Sequence, residues 1–127
     1  MTLKNITLEL ARDHDFPNGS PDHGYRFTAP LNDDGFIDAA AWKKNREYCR
    51  VVRFWGADED EVGHLVRKPG GSWAFHYDIH GDEDDDESGY RFGTESFHPG
   101  EYVSIKDHDG DMRTYKVIMV RNVNLGT

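Results

Sequence analysis

Apolar side chains recur at every second position in short segments of this chain, each segment bounded by Gly, Pro, Asn or Asp. This pattern constrains the fold more than any other feature, because a period of two sends alternate side chains to opposite faces of a strand and cannot form a helical stripe. Residues 3–10 put Ile6, Leu8 and Leu10 on one face, and Tyr25, Phe27, Ala29 and Leu31 alternate in the next apolar segment. FPNGSPDHG, residues 16–24, lies between them as dense turn chemistry. YCRVVRFW at 48–55 has apolar groups on both faces, which predicts a central strand. Two hairpins follow. The first joins VGHLVRK to SWAFHYDI through PGG, the second joins EYVSIKD to DMRTYKVIMV through HDG, and SGYRFG at 88–93 is a short strand between them.

Only one segment reads as helix. Asp38 suits an N-cap before AAAWKKNRE, whose three alanines favour a short helix near residues 38–46. Seven or eight strands with one small helix cannot cover both faces of an open sheet, so a small antiparallel barrel or sandwich is predicted. The 127 residues suit a single β-rich domain over residues 1–127 with one core. Aromatics, 13% of the chain, must supply much of that core. GYRF occurs at 24–27 and again at 89–92, but the flanks TAPLND and GTESFH disagree. These read as two similar edge segments rather than an internal repeat.

The net charge is −9, from 24 acids and 15 bases, and two runs at 58–61 and 82–87 hold ten of the acids. The rest of the chain is therefore near neutral, 14 acids against 15 bases. Concentrated acid with no basic stripe argues against nucleic acid as a partner and leaves a basic protein or a small ligand. The single cysteine, Cys49, excludes an internal disulfide and a four-thiolate zinc site, and its apolar setting reads as core. The first ten residues show no basic region followed by an apolar block, and no run approaches a membrane span, so a cytoplasmic protein is expected. The sequons at Asn5 and Asn18 carry no weight without a secretion signal.

Candidate chemistry centres on HYDIHGDEDDDE, residues 76–87. In SWAFHYDIH the side chains of Trp73, Phe75, Tyr77 and Ile79 point one way, and those of Ala74, His76, Asp78 and His80 the other. The aromatic side must be buried, so the His/Asp side is either the outer face or a polar barrel interior. His76 and His80 stand roughly 13 Å apart along a strand, too far to share an ion. Across the hairpin the geometry is closer. A type I turn over Lys68–Gly71, closed by a left-handed glycine, sets Lys68 opposite Ser72 and His64 opposite His76. With Asp78 on the same face, His64, His76 and Asp78 form a candidate site for a zinc-like divalent ion whose fourth ligand is water. Three polar residues on the solvent face of a hairpin are the plainer reading. The same register gathers both acidic runs at the open end of the hairpin, as a solvated surface that aids solubility, a weak calcium site or a docking pole for a basic protein.

Other motifs fail on spacing. DHDGD at 107–111 has Met112 and Ile118 where a calcium loop needs Gly and Glu, and fits a hairpin turn around Asp109 and Gly110 better. GGSW at 70–73 is no nucleophile elbow, and neither a P-loop nor a dinucleotide fingerprint occurs.

FHPGEYVSIKDHDGDMRTYKV, residues 97–117, resembles the F-x-P-G-Q-Y-V and R-x-Y-S elements of ferredoxin-reductase-type flavin barrels, with Pro99, Gly100, Arg113 and Tyr115 matching. Glu101 stands in place of Gln and Lys116 in place of Ser or Thr. The resemblance implies flavin binding. From about Phe36 to Val120 the order FIDAAAWKKN, CRVVRFW, GHLVRKPGGSWAFHYD, GYRFG, FHPGEYVSI is similar to a group of small bacterial proteins that carry no assigned activity. That likeness implies a bacterial cytosolic protein and supplies no catalytic residues. The sequence therefore points first to a binding or interaction module without catalysis, and second to a metal-dependent or flavin-dependent enzyme.

Overall fold

The computed structural model describes residues 2–78, 86–90, 92, 95–107 and 110–123. Among them eight strands close into one antiparallel barrel in chain order. These are β1 Thr2–Leu10, β2 Ser20–Leu31, β3 Arg50–Trp55, β4 Glu61–Arg67, β5 Trp73–Tyr77, β6 Glu87–Tyr90, β7 Tyr102–Lys106 and β8 Met112–Asn122. Closure rests on β1, where Ile6 faces Phe27 of β2 on one side and Val120 of β8 on the other. Joining the first strand to the last gives both a pairing neighbour, which is how a short-stranded protein with little helix disposes of its sheet edges.

The period-two faces turn inward as predicted. Ile6, Leu8, Leu10, Tyr25, Phe27, Ala29 and Leu31 are all buried. Phe27 and Phe75 meet with ring centroids 5.1 Å apart, and Phe92 and Phe97, from the connection between β6 and β7, close on them at 5.7–6.2 Å and on each other at 5.2 Å. Large aromatics in tilted and edge-on contact occupy the lumen.

The helix α1, Ala39–Lys44, is followed by a 3-10 turn at Arg46–Tyr48. Asp38 caps α1 as predicted: its Oδ1 accepts from the Ala41 N–H at 3.1 Å. Trp42 fixes the helix to the barrel, its Nε1–H donating to the Leu65 carbonyl at 2.9 Å and its ring meeting Trp73 edge-on at 5.2 Å. Asp38→Ala is expected to destabilise the protein by about 1 kcal/mol, read as a lowered urea midpoint. An unchanged midpoint would show that Trp42, not the cap, holds the helix. No helix among the described residues is long and apolar enough to cross a membrane.

The β4–β5 hairpin has the predicted register, with His64 opposite His76 and Leu65 opposite Phe75. Gly63 helps fix it, since a Cβ there would meet the His76 carbonyl oxygen at 2.1 Å. The turn type differs from expectation. Gly71 N–H donates to Lys68 O at 3.0 Å, and Gly70 has φ 90°, so Pro69-Gly70 is the centre of a type II turn, not type I. Proline fixes the first central residue, and glycine alone tolerates the second. Pro99-Gly100 repeats the arrangement, with Glu101 N–H donating to His98 O at 3.0 Å and Gly100 at φ 96°.

Two further expectations need correction. Residues 20–24, read as turn, belong to β2: His23 pairs with Trp55, and Gly56 N–H donates to Asp22 O at 2.8 Å. The stretch leaves β1 at an irregularity between Glu9 and Leu10, where Pro21, lacking an N–H, is no loss to the ladder. The first GYRF is not an edge segment either. Residues 24–27 lie inside β2 and pair with both β1 and β3, whereas Gly89 lies in β6 and Phe92 in the turn that follows.

Candidate functional site

On the outer face of the β4–β5 hairpin each imidazole has its own carboxylate. His64 Nδ1 lies 3.0 Å from Asp78 Oδ1, and Arg50 spans the pair, 3.2 Å from His64 Nε2 and 3.3 Å from Asp78 Oδ2. A guanidinium can only donate, so Nε2 accepts and the His64 proton sits on Nδ1, facing Asp78. His76 Nδ1 lies 2.6 Å from Asp86 Oδ1, and Lys68 pairs with the same carboxylate. The structure thus brings His64 and Asp78 together and turns His76 towards Asp86. An ion shared by His64, His76 and Asp78 would have to displace Arg50 and part His76 from Asp86. Among the described residues the set of three whose ligand atoms lie within 4.8 Å of one another is Asp13, His14 and Asp15. Arg113 already balances that set, at 3.0 Å from Asp13 and 3.1 Å from Asp15. His80 and residues 82–85 of the second acidic run lie outside the described residues.

A groove of about 450 Å³ opens between α1 and this hairpin. Trp42, Leu65 and Val66 supply its apolar lining, while Arg46, Glu47, Arg67 and the two histidines supply its polar groups. Both arginines are held by aromatic faces: the Arg46 guanidinium lies 5.0 Å from the Trp42 ring and that of Arg67 lies 5.6 Å from Trp73. The sequence marked His64 and His76 but gave no sign of the groove. Trp42 reaches Leu65 across 23 positions, a contact that no local pattern in the sequence marks.

The interior holds a second polar cluster, at Glu87, an acid that its place in the run 82–87 assigns to a solvated surface. That reading is corrected: Glu87 is 0% exposed. Its Oε1 accepts from Tyr25 at 2.9 Å and from Tyr77 at 2.5 Å, and Arg53 Nε lies 3.6 Å from Oε2. Burial, then the Glu87 charge, raises Tyr25 and Tyr77 well above the ordinary phenol value, and burial likewise raises Tyr115. Asp86 is withdrawn from solvent too, its side chain 4% exposed. Asp58, Glu59 and Asp60 of the first run are exposed as expected. Glu87 gave no legible signal: the apolar Tyr90 and Phe92 fall on the other parity of the segment, so alternation alone assigns Glu87 to the outward face.

The residues that resemble a flavin barrel are placed elsewhere. Pro99 and Gly100 form the exposed type II turn. Arg113 is bound to Asp13 and Asp15 and lies 3.5 Å from Asp107. Tyr115 faces the lumen, its ring 5.1 Å from Tyr25. Cys49 is buried, and burial pushes its thiol up to about 11, so it carries little thiolate at neutral pH. A scan against protein-family models, a search of curated proteins and a search of solved structures each returned no match.

Proposed function

We propose that this chain is a cytoplasmic binding module, not an enzyme, and that it takes a small ligand in the outer groove between α1 and the β4–β5 hairpin. The contrast between the inside and the outside of the barrel carries this reading. The lumen is occupied by the protein's own side chains, with Phe27, Phe75, Phe92 and Phe97 interlocked and Glu87 matched to Tyr25 and Tyr77. The groove is about 450 Å³, within the range of small-molecule sites, and combines an apolar lining with a few convergent polar groups. A fragment screen followed by amide and indole shift mapping tests the proposal. Hits are expected to move the Trp42 indole N–H and the amides of Leu65 and Val66; hits that move Tyr25, Phe27 and Phe75 instead would place the site in the lumen.

The facing imidazoles of His64 and His76 favour one second reading, a divalent ion held with Asp78. Equimolar zinc should then move both imidazole resonances together. Unchanged resonances leave the groove as the reading that stands.

A further inference from the structure

Charge is unevenly distributed in this protein. The net charge is −9, yet residues 42–50 and 64–68, which carry most of the groove lining, hold Lys43, Lys44, Arg46, Arg50, Arg67 and Lys68 against one acid, Glu47, and of these bases Arg46 and Arg67 line the groove itself. Six of the 15 bases thus gather on two short segments. Two are spoken for, since Arg50 pairs with Asp78 and Lys68 with Asp86.

Arg46 and Arg67 differ from the arginines that pair with acids, as does Arg26, which lies 4.9 Å from the Phe54 ring. Arg50, Arg53 and Arg113 each have carboxylate partners. Arg46 and Arg67 have none among the described residues; each is held over an indole at the groove instead. A Cβ at Gly71 would meet the Arg67 Nη2 at 3.2 Å, so the hairpin turn also packs against that guanidinium. Cation–π contact positions a guanidinium without neutralising it and leaves its N–H donors free for an acceptor. His76 adds a third polar group at the groove: Nδ1 is engaged by Asp86, and Nε2 has no partner among the described residues.

Resting on the groove as the binding surface, we propose that its ligand is a small carboxylate with an apolar body. The carboxylate sits between Arg46 and Arg67 within reach of His76, and the body lies along Trp42, Leu65 and Val66. The arginine charges exceed that of Glu47 by one, two against one, which attracts an anion. A groove of about 450 Å³ suits a small molecule better than a polymer.

Three probes that share one body test this: 3-phenylpropionate, its neutral amide and 3-phenylpropylamine, each titrated into the full chain and followed by NMR. The carboxylate is expected to bind at least ten-fold more tightly than the amide, and the amine most weakly. Added salt should weaken the carboxylate and leave the amide unchanged. Arg46→Gln with Arg67→Gln should lower the carboxylate to the level of the amide while leaving the rest of the spectrum intact. Equal binding of carboxylate and amide at Trp42, Leu65 and Val66 would overturn the anion proposal and spare the groove. Absence of shifts there with all three probes would overturn both.

Discussion

Glu87→Ala is expected to destabilise the barrel by about 3–5 kcal/mol, the cost typical of removing one partner from a buried, hydrogen-bonded charge pair. The change leaves the Tyr25 and Tyr77 hydroxyls without their acceptor and the Arg53 guanidinium without its innermost carboxylate. A domain of this size has roughly 5–15 kcal/mol of stability in total, so the variant should sit near its unfolding threshold at room temperature. Glu87→Gln keeps an oxygen for the tyrosines and loses the attraction to Arg53, with an expected loss of about 1.5–3 kcal/mol. Urea unfolding of the two variants checks both the order and the sizes. A loss below about 1 kcal/mol for Glu87→Ala would mean that the cluster is solvated in solution, as a surface acid would be.

The same cluster predicts a steep alkaline transition. Tyr25, Tyr77 and Tyr115 have their phenol groups raised above 10.0 in the folded protein, by burial first in each; the Glu87 charge comes next for Tyr25 and Tyr77, while for Tyr115 a hydrogen bond with Tyr25 opposes the rise in part. The unfolded chain releases these protons above about pH 10 while the folded chain keeps them, so above that pH the unfolded state binds fewer protons. Stability from the three groups is therefore complete below about pH 10 and is lost as pH rises beyond it. The expected slope is about 1.4 kcal/mol per pH unit for each tyrosine, about 4 kcal/mol for three. Urea unfolding between pH 9 and 11.5 measures that slope, and phenolate absorbance reports the tyrosines directly. Absorbance from all six tyrosines while the far-ultraviolet circular dichroism stays native would contradict the burial of this cluster.

Local chemistry was legible in the sequence. Alternation located the strands, Asp38 announced α1, and the Lys68–Ser72 turn set His64 opposite His76. The type of that turn was missed because Pro-Gly fits either class until the glycine's φ is known, and the start of β2 was missed because Pro, Asp and Gly read as turn wherever they cluster. The fate of Glu87 was hidden for another reason. Acids in a run suggest solvent, yet the partners that make its burial tolerable, Tyr25 and Arg53, lie 62 and 34 positions away. The pairing of Arg113 with Asp13, 100 positions apart, is likewise a product of β1 meeting β8. Half of the candidate site was readable, namely the histidine face. The other half was not, because Trp42 reaches the Leu65 carbonyl across 23 positions and no local pattern marks that contact.

The measurement that bears most directly on the proposed site is the set of intermolecular nuclear Overhauser effects from the phenyl protons of bound 3-phenylpropionate. Contacts to Trp42, Leu65 and Val66 are predicted, with none to the aromatic rings of the lumen. Contacts to Phe27, Phe75 and Phe92 would show that the barrel opens to admit the ligand, and would contradict a closed barrel that binds on its outer face.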